Sequence, residues 1–67
     1  MRTAEEIIDA RNDGAEPLYW SRPHAERVAL AHGVVLAEAE EDLRAPEGVR
    51  DAQRAFDAAL VLLWLGY

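Results

Sequence analysis

The chain of 67 residues holds no cysteine and no lysine, and only one threonine, one serine and one phenylalanine. Without cysteine, no disulfide can staple the fold and no thiolate zinc site can form. Domains this small gain support from disulfides, a structural metal or association with another chain, so association is the expected supplement, although a well-packed helical bundle of this size can stand alone. The lack of lysine leaves seven bases, all arginine, against thirteen acids, for a net charge of -6 and a pI near 4.7. That balance disfavours contact with nucleic-acid phosphates, where affinity comes from bases displacing counterions, and with anionic membranes. Arginine in place of lysine, together with thirteen alanines, points to a GC-rich coding genome such as that of an actinobacterium or its phage.

Hydroxyl groups are equally scarce. Thr3 and Ser21 are the aliphatic ones, both placed as helix caps, and no G-x-S-x-G elbow surrounds Ser21. The four glycines are scattered at positions 14, 33, 48 and 66, so no phosphate-cradling loop exists. His24 and His32, eight residues apart, would sit about 12 Å apart along one helix, too far to share a metal ion. The expectation is a chain that is not an enzyme and uses no cofactor, metal or small-molecule substrate. Met1 to Glu6 lacks the apolar core of a secretory signal, and no apolar run approaches the roughly 20 residues that cross a bilayer. A cytoplasmic location without a membrane partner is expected.

What is present is a contrast. The last ten residues, Ala58 to Tyr67, carry no charge in a chain that is 30% charged. A helix that is apolar all round must be buried, and a chain this short offers little surface to bury it under.

Periodicity predicts three helices in one domain covering residues 1–67. The first, residues 4–12, opens on a capping box at Thr3-Ala4-Glu5-Glu6 and stops at Asn12-Asp13-Gly14. Residues 13–20 form a connection in which Pro17 excludes helix and Leu18, Tyr19 and Trp20 pin the loop to the core. In residues 22–44, Ala25, Val28, Ala29, His32, Val35, Leu36, Ala39 and Leu43 follow steps of three and four, which predicts one long helix; the rival is a break at Gly33. After the Ala45-Pro46-Glu47-Gly48 connection, a third helix over 47–65 begins amphipathic and ends greasy. The expected fold is all-α, a three-helix bundle with a short first helix and two long antiparallel ones. Its core is expected to comprise Ile7, Ile8, Val28, Val35, Leu36, Leu43, Val49, Phe56, Leu60 and Leu63.

Two surfaces stand out as places where a partner could bind. Val61, Leu62 and Leu65 lie off the expected core stripe and, with the aromatic Trp64 and Tyr67, form a candidate partner-binding patch. Glu38, Glu40, Glu41, Asp42, Glu47 and Asp51 gather six acids within fourteen residues, an acidic face that selects basic partners or imitates nucleic acid. A solvated face with a Glu40–Arg44 helical pair is the plainer account of that face.

The segment Val28-Ala29-Leu30-Ala31-His32-Gly33-Val34-Val35-Leu36-Ala37-Glu38-Ala39 resembles a bacterial helix-turn-helix. Ala29 precedes the turn glycine Gly33 by four positions and the hydrophobic Val34 follows it. The resemblance covers about twenty residues, Glu26 to Leu43, and implies DNA binding by the second helix. That helix would read Leu36-Ala37-Glu38-Ala39-Glu40-Glu41-Asp42-Leu43, which offers carboxylates to phosphates and no Arg, Lys, Asn or Gln to base edges. The functional expectation is therefore a protein-protein interaction module, binding another protein or a second copy of itself. A phage or mobile-element protein that modulates a host protein is one instance. The alternatives are an acidic nucleic-acid mimic of the anti-restriction or anti-CRISPR type and a degenerate helix-turn-helix regulator.

Overall fold

Thr3 opens the first helix by accepting a hydrogen bond from the N–H of Glu6 at 3.2 Å, the forward half of the expected capping box. In the computed structural model, which describes residues 3–14 and 17–67, helix α1 runs Ala4–Asn12. Met1 and Arg2, and Ala15 and Glu16 inside the expected 13–20 connection, lie outside the described residues. Glu5 and Glu6 in the first turn and Arg11 in the last complement the helix dipole.

Next come strand β1 (Tyr19–Trp20) and helix α2 (Arg22–Ala31), followed by a single 3-10 turn (Leu36–Glu38) and a one-turn helix α3 (Glu40–Leu43). Strand β2 (Phe56–Asp57) and helix α4 (Ala58–Trp64) complete the order. The all-α three-helix bundle is thus corrected: among the described residues there are four helices, three of seven residues or longer, and a two-stranded antiparallel sheet.

The long helix expected over 22–44 ends after Ala31 because the backbone finds better partners in a turn. Gly33 adopts φ +76°, its N–H donates to the Leu30 carbonyl at 2.9 Å, and the Val34 N–H donates to the Ala29 carbonyl at 3.1 Å. This is a Schellman closure, which satisfies carbonyls a helix end would otherwise leave bare. Val34 then packs against the core that Ala29 belongs to, supplying the apolar contact that accompanies the motif.

The helix expected over 47–65 fails for a different reason: two aspartates compete for the backbone. Asp51 Oδ1 accepts from the N–H groups of Gln53 and Arg54, both at 2.8 Å, which folds residues 51–54 into a turn. Asp57 caps α4, its side chain accepting from the N–H groups of Ala59 and Leu60. Beyond that turn Phe56 and Asp57 are extended and pair with β1 in the register Tyr19 with Asp57 and Trp20 with Phe56. Ala55 and Ala58 donate to the carbonyls of Trp20 and Leu18, and Arg44 bridges the other side of Phe56.

Two apolar clusters form the core. One contains Ala25, Ala29, Leu36, Leu43, Phe56 and Val61; the other contains Ile7, Ala58, Ala59 and Leu62. Trp20 packs against both and so joins them. Of the expected core, Ile7, Leu36, Leu43 and Phe56 are buried and Ile8, Val28 and Leu60 half-buried, whereas Val35, Val49 and Leu63 are exposed. Val49 and Leu63 left the core when the third helix was divided, because the phase of α4 is set at Asp57 and not by a helix begun at Glu47.

Candidate protein-docking face

The oily end of the chain is largely absorbed. Val61 is 0% exposed and Leu62 4%. Adjacent in sequence, they point into different clusters, since α4 is covered by α1 on one side and by the sheet and α2 on the other. Their burial removes Val61 and Leu62 from the expected partner-binding patch. Trp64 and Leu65 are half-buried against the Phe56 cluster. Tyr67 stays exposed, its hydroxyl 2.8 Å from Nε2 of His32.

The most exposed large aliphatic side chains lie elsewhere, at Leu30 (65%) and Val35 (54%). Both exposures follow from local geometry. Ala25 and Ala29 define the buried face of α2, and Leu30 lies about 100° round from Ala29. Val35 stands in extended backbone between Val34, which packs inward, and the buried Leu36, so alternation turns it out.

These two residues share one groove. Arg22, Glu26 and Leu30, at steps of four, form its α2 wall, and Val35, Leu36 and Ala37 form the other, enclosing a shallow hollow of about 270 Å³. Ala37 is also a wall of the next hollow, about 350 Å³, whose remaining lining is Glu38, Ala39, Glu40, Glu41 and Asp42. An apolar groove thus opens directly onto acidic ground.

The expected acidic face separates into three kinds of group. Glu40 is neutralised: it pairs with Arg22, which also reaches Glu26 at 3.5 Å, and with Arg44 at 3.3 Å. Arg22 beside it holds the Glu40 carboxyl below the ordinary carboxylate range, and Glu40 in turn raises Arg22. Asp51 is occupied by its turn and by Arg54 at 3.1 Å; the N–H of Gln53 first, then that of Arg54, lowers its carboxyl. Glu38, Glu41, Asp42 and Glu47 face solvent and make no ion pair among the described residues. The first three of these line the groove's acidic extension.

A larger hollow of about 460 Å³ lies between Pro17, Leu18, Tyr19, Val49, Gln53 and Arg54. Its apolar side chains, Leu18 and Val49, are little more than one-third exposed, and Arg54 is already engaged by Asp51. Another, lined by Glu5, Ile8, Asp9 and Tyr67, flanks α1. Neither presents aliphatic side chains as open as Leu30 and Val35, although the second is lined by Tyr67, itself 58% exposed.

Residues named for chemistry occupy structural positions. Thr3 is a cap; Ser21 occupies the cap position of α2 without a side-chain hydrogen bond to it. His24 lies against Trp20, and His32 caps the end of α2. Among the described residues no group of three His, Cys, Asp or Glu is placed to hold a metal ion, and no helix is long and apolar enough to cross a membrane. The helix-turn-helix resemblance keeps its turn at Gly33, but its second helix is reduced to the 3-10 turn and the four residues of α3.

Sequence reasoning missed Leu30 altogether and placed Val35 inside. The usable sign for Leu30 was its spacing: it follows Glu26 by four and Arg22 by eight, on a helical edge otherwise charged. Compared with family models, with curated proteins and with solved structures, the chain matches none.

Proposed function

We propose that this protein is a non-catalytic binding module that docks on another protein through the Leu30–Val35 groove. The observation that supports this reading most is the concentration of the two most exposed aliphatic side chains in a single hollow. Scattered single apolar residues are normal on a surface, whereas neighbours lining a concave site beside polar groups are the composition of a docking site. The contact moves from the oily end of the chain to the end of α2, and Tyr67 is the one member of the original patch that remains openly accessible. The acid-mimic alternative draws less support, because Arg22, Arg44 and Arg54 already answer Glu40 and Asp51.

Site-specific photo-crosslinking in cells that express the chain tests the reading. A photoreactive phenylalanine is placed at Leu30, at Val35 and, as a control at an exposed position that does not line the groove, at Asp13. The same crosslinked protein species is expected from positions 30 and 35 and not from 13, and it should vanish from the position-30 protein when Val35→Glu is added. Equal crosslinking from all three positions, or none from 30 and 35, would overturn the assignment.

A further inference from the structure

The groove carries more information than its apolar lining. Resting on the docking reading above, we infer that its occupant is a cationic amphipathic helix: apolar side chains seat between Leu30 and Val35, and the lysines or arginines that follow lie over Glu38, Glu41 and Asp42. Continuity is the first reason. Ala37 walls both hollows, so a segment leaving the apolar end meets three solvent-facing carboxylates at once. A wall formed by the edge of a helix suits the helix-in-groove mode, in which one apolar stripe anchors and the flanking charges select.

Charge also fixes direction. Arg22 is answered by Glu26 and Glu40, so it adds no net cationic barrier within the groove. The carboxylates of Glu38, Glu41 and Asp42, unpaired among the described residues, all lie beyond Ala37, so the basic residues belong at that end. A second copy of this chain is disfavoured as occupant by charge, because each copy brings a net charge of -6 to a site already flanked by those unpaired carboxylates.

The test uses the full chain, labelled with 15N, and two synthetic amphipathic peptides of about 18 residues, five helical turns. They share one leucine face and differ in carrying lysine or glutamate on the polar face. The lysine peptide is expected to bind and to shift amide signals at Leu30, Val35, Ala37, Glu38, Glu41 and Asp42. Its affinity should fall about tenfold or more between about 0.05 and 0.5 M NaCl. Leu30→Ser, or the milder Leu30→Ala, should abolish binding while the circular dichroism spectrum is retained, since the side chain is exposed. Replacing the acids together, Glu38→Gln, Glu41→Gln and Asp42→Asn, should weaken binding about tenfold.

Equal binding of the glutamate peptide would overturn the charge assignment and leave the docking reading standing. Shifts confined to the Glu5–Asp9 side, or indifference to Leu30→Ser, would overturn it as well. Sedimentation showing a dimer dispersed by Leu30→Ser would make the occupant a second copy. Failure of both peptides to bind overturns the cationic-helix inference alone, because the crosslinking experiment judges the groove independently.

Discussion

The hydroxyl of Tyr67 stands 2.8 Å from Nε2 of His32, and Nδ1 of the same ring stands 2.9 Å from the Val28 carbonyl. A carbonyl only accepts, so Nδ1 must carry the proton, and in the neutral ring Nε2 accepts from the Tyr67 hydroxyl. The contact ties the turn after α4 to the end of α2.

Nitrogen chemical shifts of the neutral His32 ring should therefore report the Nδ1–H tautomer. Tyr67→Phe should remove one exposed hydrogen bond and cost no more than about 0.5–1.5 kcal/mol in a urea titration. A neutral ring protonated on Nε2 would mean that the Val28 contact is not a hydrogen bond.

Gly33→Ala separates two folds by the sign of its effect. With φ at +76° and nothing within 4 Å of the added methyl, the substitution meets no clash but pays left-handed backbone strain, expected at about 1–2 kcal/mol of lost stability. In a continuous helix the same change would stabilise by about 1 kcal/mol. A rise in the denaturation midpoint would contradict the turn.

Asp57 caps α4 while lying 3.6 Å from Arg11. Asp57→Ala loses the acceptor for Ala59 and Leu60 and should destabilise by about 1–2 kcal/mol. Asp57→Asn keeps an acceptor and loses only the pairing with a half-exposed Arg11, worth about 0–1 kcal/mol. Thermal denaturation should rank the variants in that order; an Asn variant as damaged as Ala would make the ion pair the larger contribution.

The carboxyls of Glu40 and Asp51 are lowered, the first by Arg22 and the second by the N–H groups of Gln53 and Arg54. Each then binds its proton less readily in the folded chain than in the unfolded one. Their contribution is complete above the ordinary carboxylate range near about 4 and is lost as pH falls through the lowered folded values. Arg22 is raised above an already high value, so its contribution is constant through neutral pH. Urea midpoints should hold from neutrality to about pH 5 and fall below it, with a shallower fall in the double variant Glu40→Gln, Asp51→Asn. An unchanged acid slope in that variant would place the sensitivity in other carboxyls.

Helix α1 was legible from residue order, because its cap, its dipole charges and its stop at Asn12-Asp13-Gly14 all lie within a few positions of one another. The start of α2 at Ser21 and Pro23 was legible for the same reason. The two long helices were not. Periodicity of three and four continues through Gly33 and through Asp51 and Asp57, and a pattern of apolar residues does not say whether the backbone hydrogen bonds follow it. Glycine closure at 33 and aspartate side chains at 51 and 57 decided that locally.

Composition by itself excluded disulfides and thiolate metal sites, fixed a net charge of -6 and marked the final ten residues as requiring cover. Only the tertiary structure decided what provided that cover. Dividing the chain into short elements let α1 enclose Leu62 while Phe56 and α2 enclosed Val61, so the apolar surplus anticipated at the end of the chain was absorbed. The same division left Leu30 and Val35 outside, because side-chain direction is set by where an element begins and ends, and those limits depend on hydrogen bonds that residue type alone does not specify.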